Sequence, residues 1–172
     1  MIHIYTGKGK GKTTSSFGLA MRASGQGLKV IIFQFLKPKS IICGEEISAK
    51  KIKNIKIVKF EQTHPMFRIT PIAQSALKKS IKKMFSEVEK VVLSGKYDMV
   101  ILDEIINACG QNFICKGKIC ELLKKAPKDL ELVLTGRGDV SMIEDCADYV
   151  TIMVDKKHPL NRGINARKGI EY

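Results

Sequence analysis

The sequence of 172 residues has no tryptophan, few arginines and no apolar run of the ~18–20 residues that a membrane-spanning helix needs. Its five cysteines include no C-x-x-C pair, which argues against a zinc site or a disulfide framework. Residues 1–5 lead directly into a glycine–lysine stretch, without the apolar core of a signal peptide. We therefore expect a cytoplasmic protein with no membrane segment and with reduced thiols.

Acidic residues are also scarce, since 17 Asp and Glu face 30 Lys and Arg and give a net charge of +13. This excess raises the question of a nucleic-acid partner. Only five of the basic residues are arginine, whose planar fork holds phosphates and guanine edges bidentately. The few aromatic residues do not cluster among basic ones, and no RNA- or DNA-binding signature is present. We expect solvated lysines and phosphorylated small ligands, and no nucleic acid.

Short apolar runs alternate with segments of helical periodicity. Strands are predicted at 2–5, 29–35, 55–60, 99–103, 130–135 and 149–154, and helices at 12–24, 71–93, 118–125 and 140–147. Several strands are almost continuously apolar, as in a parallel sheet that helices cover on both faces. The sequence thus predicts one α/β domain over residues 1–172. The irregular stretches 38–53 and 61–70 follow strands and are candidates for substrate recognition, or plain connections.

Residues 6–14 (TGKGKGKTT) follow the first predicted strand and open the first predicted helix, the context that a phosphate-binding loop requires. The glycines let backbone N–H groups point at phosphate oxygens, and the helix beginning near Lys12 adds its positive end. Lys12 is placed to reach terminal phosphate oxygens, and the Thr13 hydroxyl to bind magnesium. The usual pattern has glycine in its first position, where this chain has Thr6.

Two further strand ends place charged groups at the same predicted edge of the sheet. The apolar run 99–102 ends in Asp103 and Glu104, like a Walker B element, and either carboxylate could hold magnesium. A helix-capping Asp103 is the alternative. Arg137 lies between two glycines after another strand, where its guanidinium can neutralise a polyphosphate. An arginine in a surface turn is the alternative there.

Taken together, these motifs resemble the P-loop ATP:corrinoid adenosyltransferases, the cob(I)alamin or cob(I)yrinic acid a,c-diamide adenosyltransferases of cobalamin biosynthesis and salvage. The resembling residues are 5–7, 9–14, 17–18, Arg22, 34–37, 102–104, 135–138, 157–158, Gly163, Ala166 and 169–172. The chain departs from the family at Lys8, where members usually have asparagine. It also lacks the tryptophan that commonly lies over the corrin ring.

The resemblance implies a P-loop NTPase-like (RecA-like) fold and a transferase reaction with two substrates, ATP and a corrinoid. Cobalt(I) of the reduced corrinoid attacks the 5′-carbon of ATP, and the whole triphosphate departs. The nucleophile belongs to the corrinoid, so the protein needs no catalytic Ser, Cys or His. ATP is implied to lie reversed, with its γ-phosphate where other NTPases hold an inner one. A homodimer and a reducing protein for cobalt(II), such as a flavoprotein, are the implied partners.

The same resemblance assigns site residues. The implied ATP-binding residues are Thr6, Gly7, Lys8, Gly9, Lys10, Gly11, Lys12, Thr13, Thr14, Arg22 and Arg137. Among them Lys10, Lys12 and Arg137 are expected to stabilise the leaving triphosphate. Mg²⁺ (or Mn²⁺) is expected on Thr13 with Glu104 or Asp103, and the corrinoid against Met66 and Phe67.

Two other functions stay open at this point. One is a P-loop ATPase or kinase of another specificity, which would need a residue to position water or a hydroxyl group. No Gln or Asp can be assigned to that task. The other is a basic nucleic-acid-binding ATPase.

Overall fold

The computed structural model describes residues 1–37, 39, 40, 42–59 and 71–171, except for the side chains of residues 71–73. The strands in these ranges are β1 (Ile2–Thr6), β2 (Val30–Gln34), β3 (Ile55–Lys59), β4 (Met99–Asp103), β5 (Glu131–Thr135) and β6 (Tyr149–Ile152). The helices are α1 (Lys12–Gly25), α2 (Gly44–Ala49), α3 (Pro71–Val92), α4 (Ile105–Gly110) and α5 (Lys116–Lys125). Short 3-10 helices occupy Glu144–Cys146 and Pro159–Arg162.

The six strands form one sheet in the order β3-β2-β4-β5-β1-β6, and every pair is parallel. β4 lies between β2 and β5, with Leu102 in register with Phe33 and Leu134. β1 lies between β5 and β6, with Ile4 in register with Leu134 and Val150. The residues that follow β1, β2, β4 and β5 therefore meet at one edge of the sheet.

Helices cover both faces of the sheet, because alternate residues of its inner strands point to opposite sides. On one face Phe17 and Ala20 of α1 pack with Ile32 and Ile101. The other face packs against α3 and α5 through their buried residues, which are Leu77, Ile81, Met84, Phe85, Val88, Val92, Ile119, Leu122 and Leu123. The α/β fold with six parallel strands and helices on both faces, consistent with a P-loop NTPase-like arrangement, is confirmed.

The helix predicted at 140–147 is wrong, since the structure has turns there and a single 3-10 helix at Glu144–Cys146. The backbone is already extended at Ala147. The carboxylate of the next residue, Asp148, accepts a hydrogen bond from the Ile2 N–H at 2.6 Å. The next residue, Tyr149, begins β6 beside His3. Before it, the backbone N–H groups of Ile143, Cys146 and Ala147 donate to the carbonyl oxygen three residues back, which is the pattern of turns and 3-10 helices.

Two short helices were not predicted from the sequence. Gly44–Ala49 forms α2 within the stretch expected to be irregular, and Ile105–Gly110 forms α4 immediately after β4. Between β4 and α4 the chain reverses at Glu104, whose φ of 65° lies in the left-handed region. Six residues are too few for a helical period to show in the sequence.

None of the helices in the described part of the chain combines the length and the hydrophobicity needed to cross a membrane.

Candidate functional site

The loop between β1 and α1 is formed by glycines that lie against the backbone after β6. Gly7 and Gly11 have φ values of 98° and 115°, which side-chain-bearing residues rarely adopt. A Cβ atom on Gly7 would lie 2.4 Å from the carbonyl oxygen of Met153. The Gly9 N–H donates to that same oxygen at 2.8 Å. The close approach of two backbones therefore requires these glycines.

Lys12 is folded back onto this loop. Its Nζ donates to the carbonyl oxygens of Gly7 at 2.8 Å and Gly9 at 2.6 Å, and the residue is only 7% exposed. Burial lowers the pKa of Lys12 and Arg137 lowers it further, while Glu104 and Asp155 act in the opposite direction. The ammonium is thus held beside the loop with another cation nearby.

Asp103, the last residue of β4, is fully buried and both of its carboxylate oxygens are hydrogen-bonded. Oδ1 accepts from the hydroxyls of Thr13 at 2.9 Å and Thr135 at 2.8 Å. Oδ2 accepts from Gln34 Nε2 at 3.3 Å and from Lys37 Nζ at 2.9 Å. This carboxylate therefore joins the ends of β2, β4 and β5 to the first turn of α1.

Lys37 is the counter-ion of Asp103. Burial acts to lower the pKa of Lys37, but the charge and hydrogen bond of Asp103, with help from Glu45, raise it overall. Nζ of Lys37 also lies 3.8 Å from the Glu45 carboxylate. The pair thus connects α2 to the site as well.

Glu104 differs from its neighbour. Its carboxylate makes no hydrogen bond or ion pair with any other described residue, whereas its backbone N–H donates to Thr135 Oγ1 at 3.0 Å. Burial and then the charge of Asp103 raise the pKa of Glu104, against the opposing effects of Lys37, Lys12 and Arg137. The carboxylate is therefore surrounded by three cations without being paired to one of them.

Arg137 lies in a Gly-Arg-Gly turn after β5. Its backbone N–H donates to Oδ1 of Asn107 on α4, and its exposed side chain has no partner among the described residues. The turn is tied to the glycine loop by a weak hydrogen bond of 3.5 Å from Thr6 Oγ1 to the carbonyl oxygen of Gly138.

A cavity of about 850 Å³ brings these groups together at the carboxyl edge of the sheet. Of the residues predicted from the sequence, the cavity is lined by Lys10, Gly11, Lys12, Thr13, Thr14, Glu104 and Arg137. No site role was predicted for other lining residues, which include Cys43, Asn107 and Gln111. Phe17, Lys37, Gly169, Ile170 and Glu171 also line the cavity, and they are among the residues on which the resemblance rests. The volume falls within the range of small-molecule sites.

A cavity with this lining is suited to a polyanion that bears an organic group. Cations from the glycine loop and from the Gly-Arg-Gly turn line it, together with the Glu104 carboxylate, which no described residue pairs. No three His, Cys, Asp or Glu side chains within the described ranges come together as a metal site. A metal held here would need oxygen ligands from a bound molecule in addition to the protein.

Comparison with known proteins identifies the family of this chain. The family model described as ATP:corrinoid adenosyltransferase BtuR/CobO/CobP matches residues 1–172. The chain belongs to the ATP:corrinoid adenosyltransferase family.

Individual relatives agree with this assignment. A corrinoid adenosyltransferase of Escherichia coli K12 is 29% identical over 175 residues, which cover all of this chain and 85% of that protein. The corrinoid adenosyltransferase CobA of Salmonella typhimurium LT2 gives the same identity and coverage. A corrinoid adenosyltransferase of Pseudomonas aeruginosa is 29% identical over 173 residues, which cover all of this chain and 83% of that protein. The predicted family and its transferase class are confirmed.

In this adenosyltransferase-family chain, Lys10 contacts the C-terminal segment 167–171. Its Nζ donates to the Ile170 carbonyl oxygen at 2.9 Å and to Glu171 Oε1 at 3.0 Å. Glu171 also accepts hydrogen bonds from the side chain and backbone of Arg167. These hydrogen bonds, first those from Arg167 and then that from Lys10, lower the pKa of Glu171 to about 2. The sequence contains no local signal for a contact between residues so far apart.

Several predicted site residues do not line the cavity of this family member. Thr6, Gly7 and Gly9 form the loop behind it, and Lys8 is exposed. Arg22 lies exposed near the end of α1, nine residues and therefore ~13 Å along the helix from Thr13. The candidate corrin contacts Met66 and Phe67 lie outside the described residues.

Proposed function

We propose that this protein transfers the 5′-deoxyadenosyl group of ATP to the cobalt(I) of a reduced corrinoid in adenosylcobalamin biosynthesis or salvage. Triphosphate is the other product. The observation that most supports this proposal is the cavity in which Lys12, Arg137 and Glu104 converge, within a chain whose whole length matches the adenosyltransferase family.

The protein's first task in this reaction is to bind ATP and stabilise the departing triphosphate. Lys12 and Arg137 place two positive charges along the cavity, and the glycine loop ends at the N-terminus of α1. Fixed cations and backbone N–H groups at the developing charge are worth more in a cavity than in water. Lys10 adds a third cation where it meets the C-terminal segment. We further propose, from the family resemblance, that ATP lies reversed in the loop.

The donor set fits a magnesium ion. The Thr13 hydroxyl donates its proton to Asp103, so its lone pairs remain for a cation, and the Glu104 carboxylate has no partner among the described residues. We propose Thr13 and Glu104 as its protein ligands, with Asp103 acting through Thr13. Magnesium held there would neutralise charge on the triphosphate, and oxygen atoms of water and of the bound nucleotide would complete its ligand set.

The remaining assignments rest on the resemblance. We propose that residues 1–172 act as one adenosyltransferase domain, that the protein is a cytoplasmic homodimer, and that a flavoprotein-type reductase supplies the reduced corrinoid. Met66 and Phe67 remain the proposed corrin contacts, and Arg22 a proposed ATP contact.

The reaction is tested by incubating the protein with ATP, magnesium and chemically reduced cobalamin, and following the absorption change of cobalt–carbon bond formation. We expect adenosylcobalamin only when ATP and reductant are both present. Formation of ADP and phosphate without an adenosylated corrinoid would contradict the proposal.

Lys12→Ala in the same assay tests the assignment of the site. We expect turnover to fall by at least about 100-fold, because the variant lacks a cation at the developing triphosphate charge. The fold should persist, as checked by far-ultraviolet circular dichroism, because among the described residues Lys12 donates only to carbonyls of its own loop. Lys124→Ala, which removes an exposed lysine of α5, is the matched control and should retain full activity.

A further inference from the structure

The Arg137 side chain makes no contact with the described residues that would fix its position. The guanidinium makes no hydrogen bond or ion pair with the rest of the described chain. Gly136 and Gly138 on either side have φ values of 144° and 147°, a region open to glycine but rarely to other residues. Glycine also has the most conformational freedom to lose on ordering. A Gly-Arg-Gly turn therefore needs a contact from outside if its arginine is to occupy one position.

Asn107 supplies that contact. Its Oδ1 accepts the hydrogen bond from the backbone N–H of Arg137, in the middle of the turn. Only the oxygen of the amide can accept from an N–H group, so this bond also fixes the orientation of the Asn107 side chain. Nδ2 of Asn107 has no partner within the described ranges, and the residue lines the same cavity as Arg137.

The two glycines let the turn approach α4 closely enough for this bond. A Cβ atom on Gly136 would lie 2.6 Å from Asn107 Oδ1, 2.8 Å from Ile106 Cβ and 2.9 Å from the backbone nitrogen of Asn107. A Cβ atom on Gly138 would lie 3.2 Å from Ile106 Cγ2. The turn thus lies directly on the first turn of α4, and the hydrogen bond is part of that packing.

The strand before the turn is fixed as well. Thr135 Oγ1 donates to Asp103 at 2.8 Å and accepts from the backbone N–H of Glu104 at 3.0 Å. The turn is therefore anchored at Thr135 by the end of β4 and at Arg137 by α4. Anchoring at both points sets where the Arg137 side chain leaves the backbone, and this side chain lines the same cavity as Lys12 and Glu104.

We propose that Asn107 is a positioning residue, which holds the Arg137 backbone so that the guanidinium meets the triphosphate. The inference builds on the proposed adenosyl transfer and adds a residue of α4 to it. Displacing a charge-stabilising group by about 1 Å can cost about 100-fold in rate, so loss of this hydrogen bond should be visible in catalysis.

A double-mutant cycle tests the proposal, with Asn107→Ala, Arg137→Ala and the double variant. We expect Asn107→Ala to lower kcat by about 10- to 100-fold with a smaller change in the KM for ATP. In the Arg137→Ala background, Asn107→Ala should lower kcat by less than about threefold, because the guanidinium that Asn107 positions is no longer present. Equal losses in both backgrounds would overturn the proposal.

Two further variants separate positioning from a general loss of structure. Asn107→Asp keeps the accepting oxygen, so it should preserve kcat better than Asn107→Ala while its negative charge raises the KM for ATP. Gln111→Ala changes a second amide that lines the cavity but has no bond to the turn, and its effect should not be coupled to Arg137. If Asn107→Ala does not fold, Asn107→Leu keeps the side-chain size and removes the acceptor, so the cycle can be completed with it.

Binding of inorganic triphosphate, measured by calorimetry, gives a readout that does not depend on corrinoid chemistry. We expect Asn107→Ala to weaken its binding when Arg137 is present and to have little further effect when Arg137 is alanine. If triphosphate binding shows this coupling between Asn107 and Arg137 but the protein forms no adenosylated corrinoid, the proposed function is contradicted and the role of Asn107 is supported. Adenosylation without the coupling, in either binding or rate, would refute the role of Asn107 alone.

Discussion

Asp103 and Glu104 are adjacent acidic residues with different surroundings. The Asp103 carboxylate receives four hydrogen bonds from side chains, including that of Lys37, and has no exposed surface. The Glu104 carboxylate lines the cavity without a partner among the described residues. The sequence alone left both as candidate metal ligands. Burial and hydrogen bonding distinguish them, and neither is visible in an Asp-Glu pair after an apolar run.

Amide substitutions of the two acids should separate stability from activity. Asp103→Asn leaves Lys37 without its buried counter-ion, and the new NH₂ group faces side chains that donated hydrogen bonds to the carboxylate. We therefore expect a loss of about 3 kcal/mol in the free energy of unfolding. Glu104→Gln removes a carboxylate that no described residue pairs, so stability should change by less than about 0.5 kcal/mol while turnover falls by at least about 100-fold. Urea denaturation and the adenosylation assay measure the two effects. Equal destabilisation by both substitutions would contradict this division of roles.

At the scale of elements, the sequence predicted the parts whose signal is local. Each strand was predicted to within two residues at either end, because runs such as 30–33 and 99–102 are apolar and bounded by polar or glycine residues. The glycine loop and α1 were predicted from the loop's glycine and lysine residues and from its place between a predicted strand and a predicted helix. The helices α2 and α4, the turns at 140–147 and the strand order depend on long-range packing. The contacts from Asn107 to Arg137 and from Lys10 to Glu171 depend on it too, and have no local signature.

The C-terminal segment 167–171 contacts the glycine loop through an ion pair between Glu171 and Lys10. In Glu171→Gln the side chain is neutral, and its hydrogen bonds to Lys10 and Arg167 lose the contribution of that charge. We expect faster amide hydrogen exchange in residues 163–171, measured by mass spectrometry, with unchanged exchange in the sheet. Glu87→Gln breaks an exposed ion pair with Lys90 on α3 and is the matched control. Unchanged exchange in residues 163–171 would show that other contacts hold the segment.

Across the whole molecule, four of the basic residues behind the net charge of +13 lie together in the structure. Lys10, Lys12, Lys37 and Arg137 line a single cavity at the carboxyl edge of the sheet. Many of the other lysines are exposed on helices and loops, as are those of α3 and Lys118, Lys124 and Lys125 of α5. The absence of a nucleic-acid partner stays a prediction, and the proposed triphosphate site would account for the cations that line this cavity.

In the proposed reaction ATP is cleaved at its 5′-carbon and not between its phosphates. Following a radioactive label on the γ-phosphate of ATP during reaction with reduced cobalamin tests it most directly. We predict that the label is recovered in inorganic triphosphate, in one-to-one proportion with the adenosylcobalamin formed. Label recovered as inorganic phosphate, with ADP accumulating in the same proportion, would contradict the account.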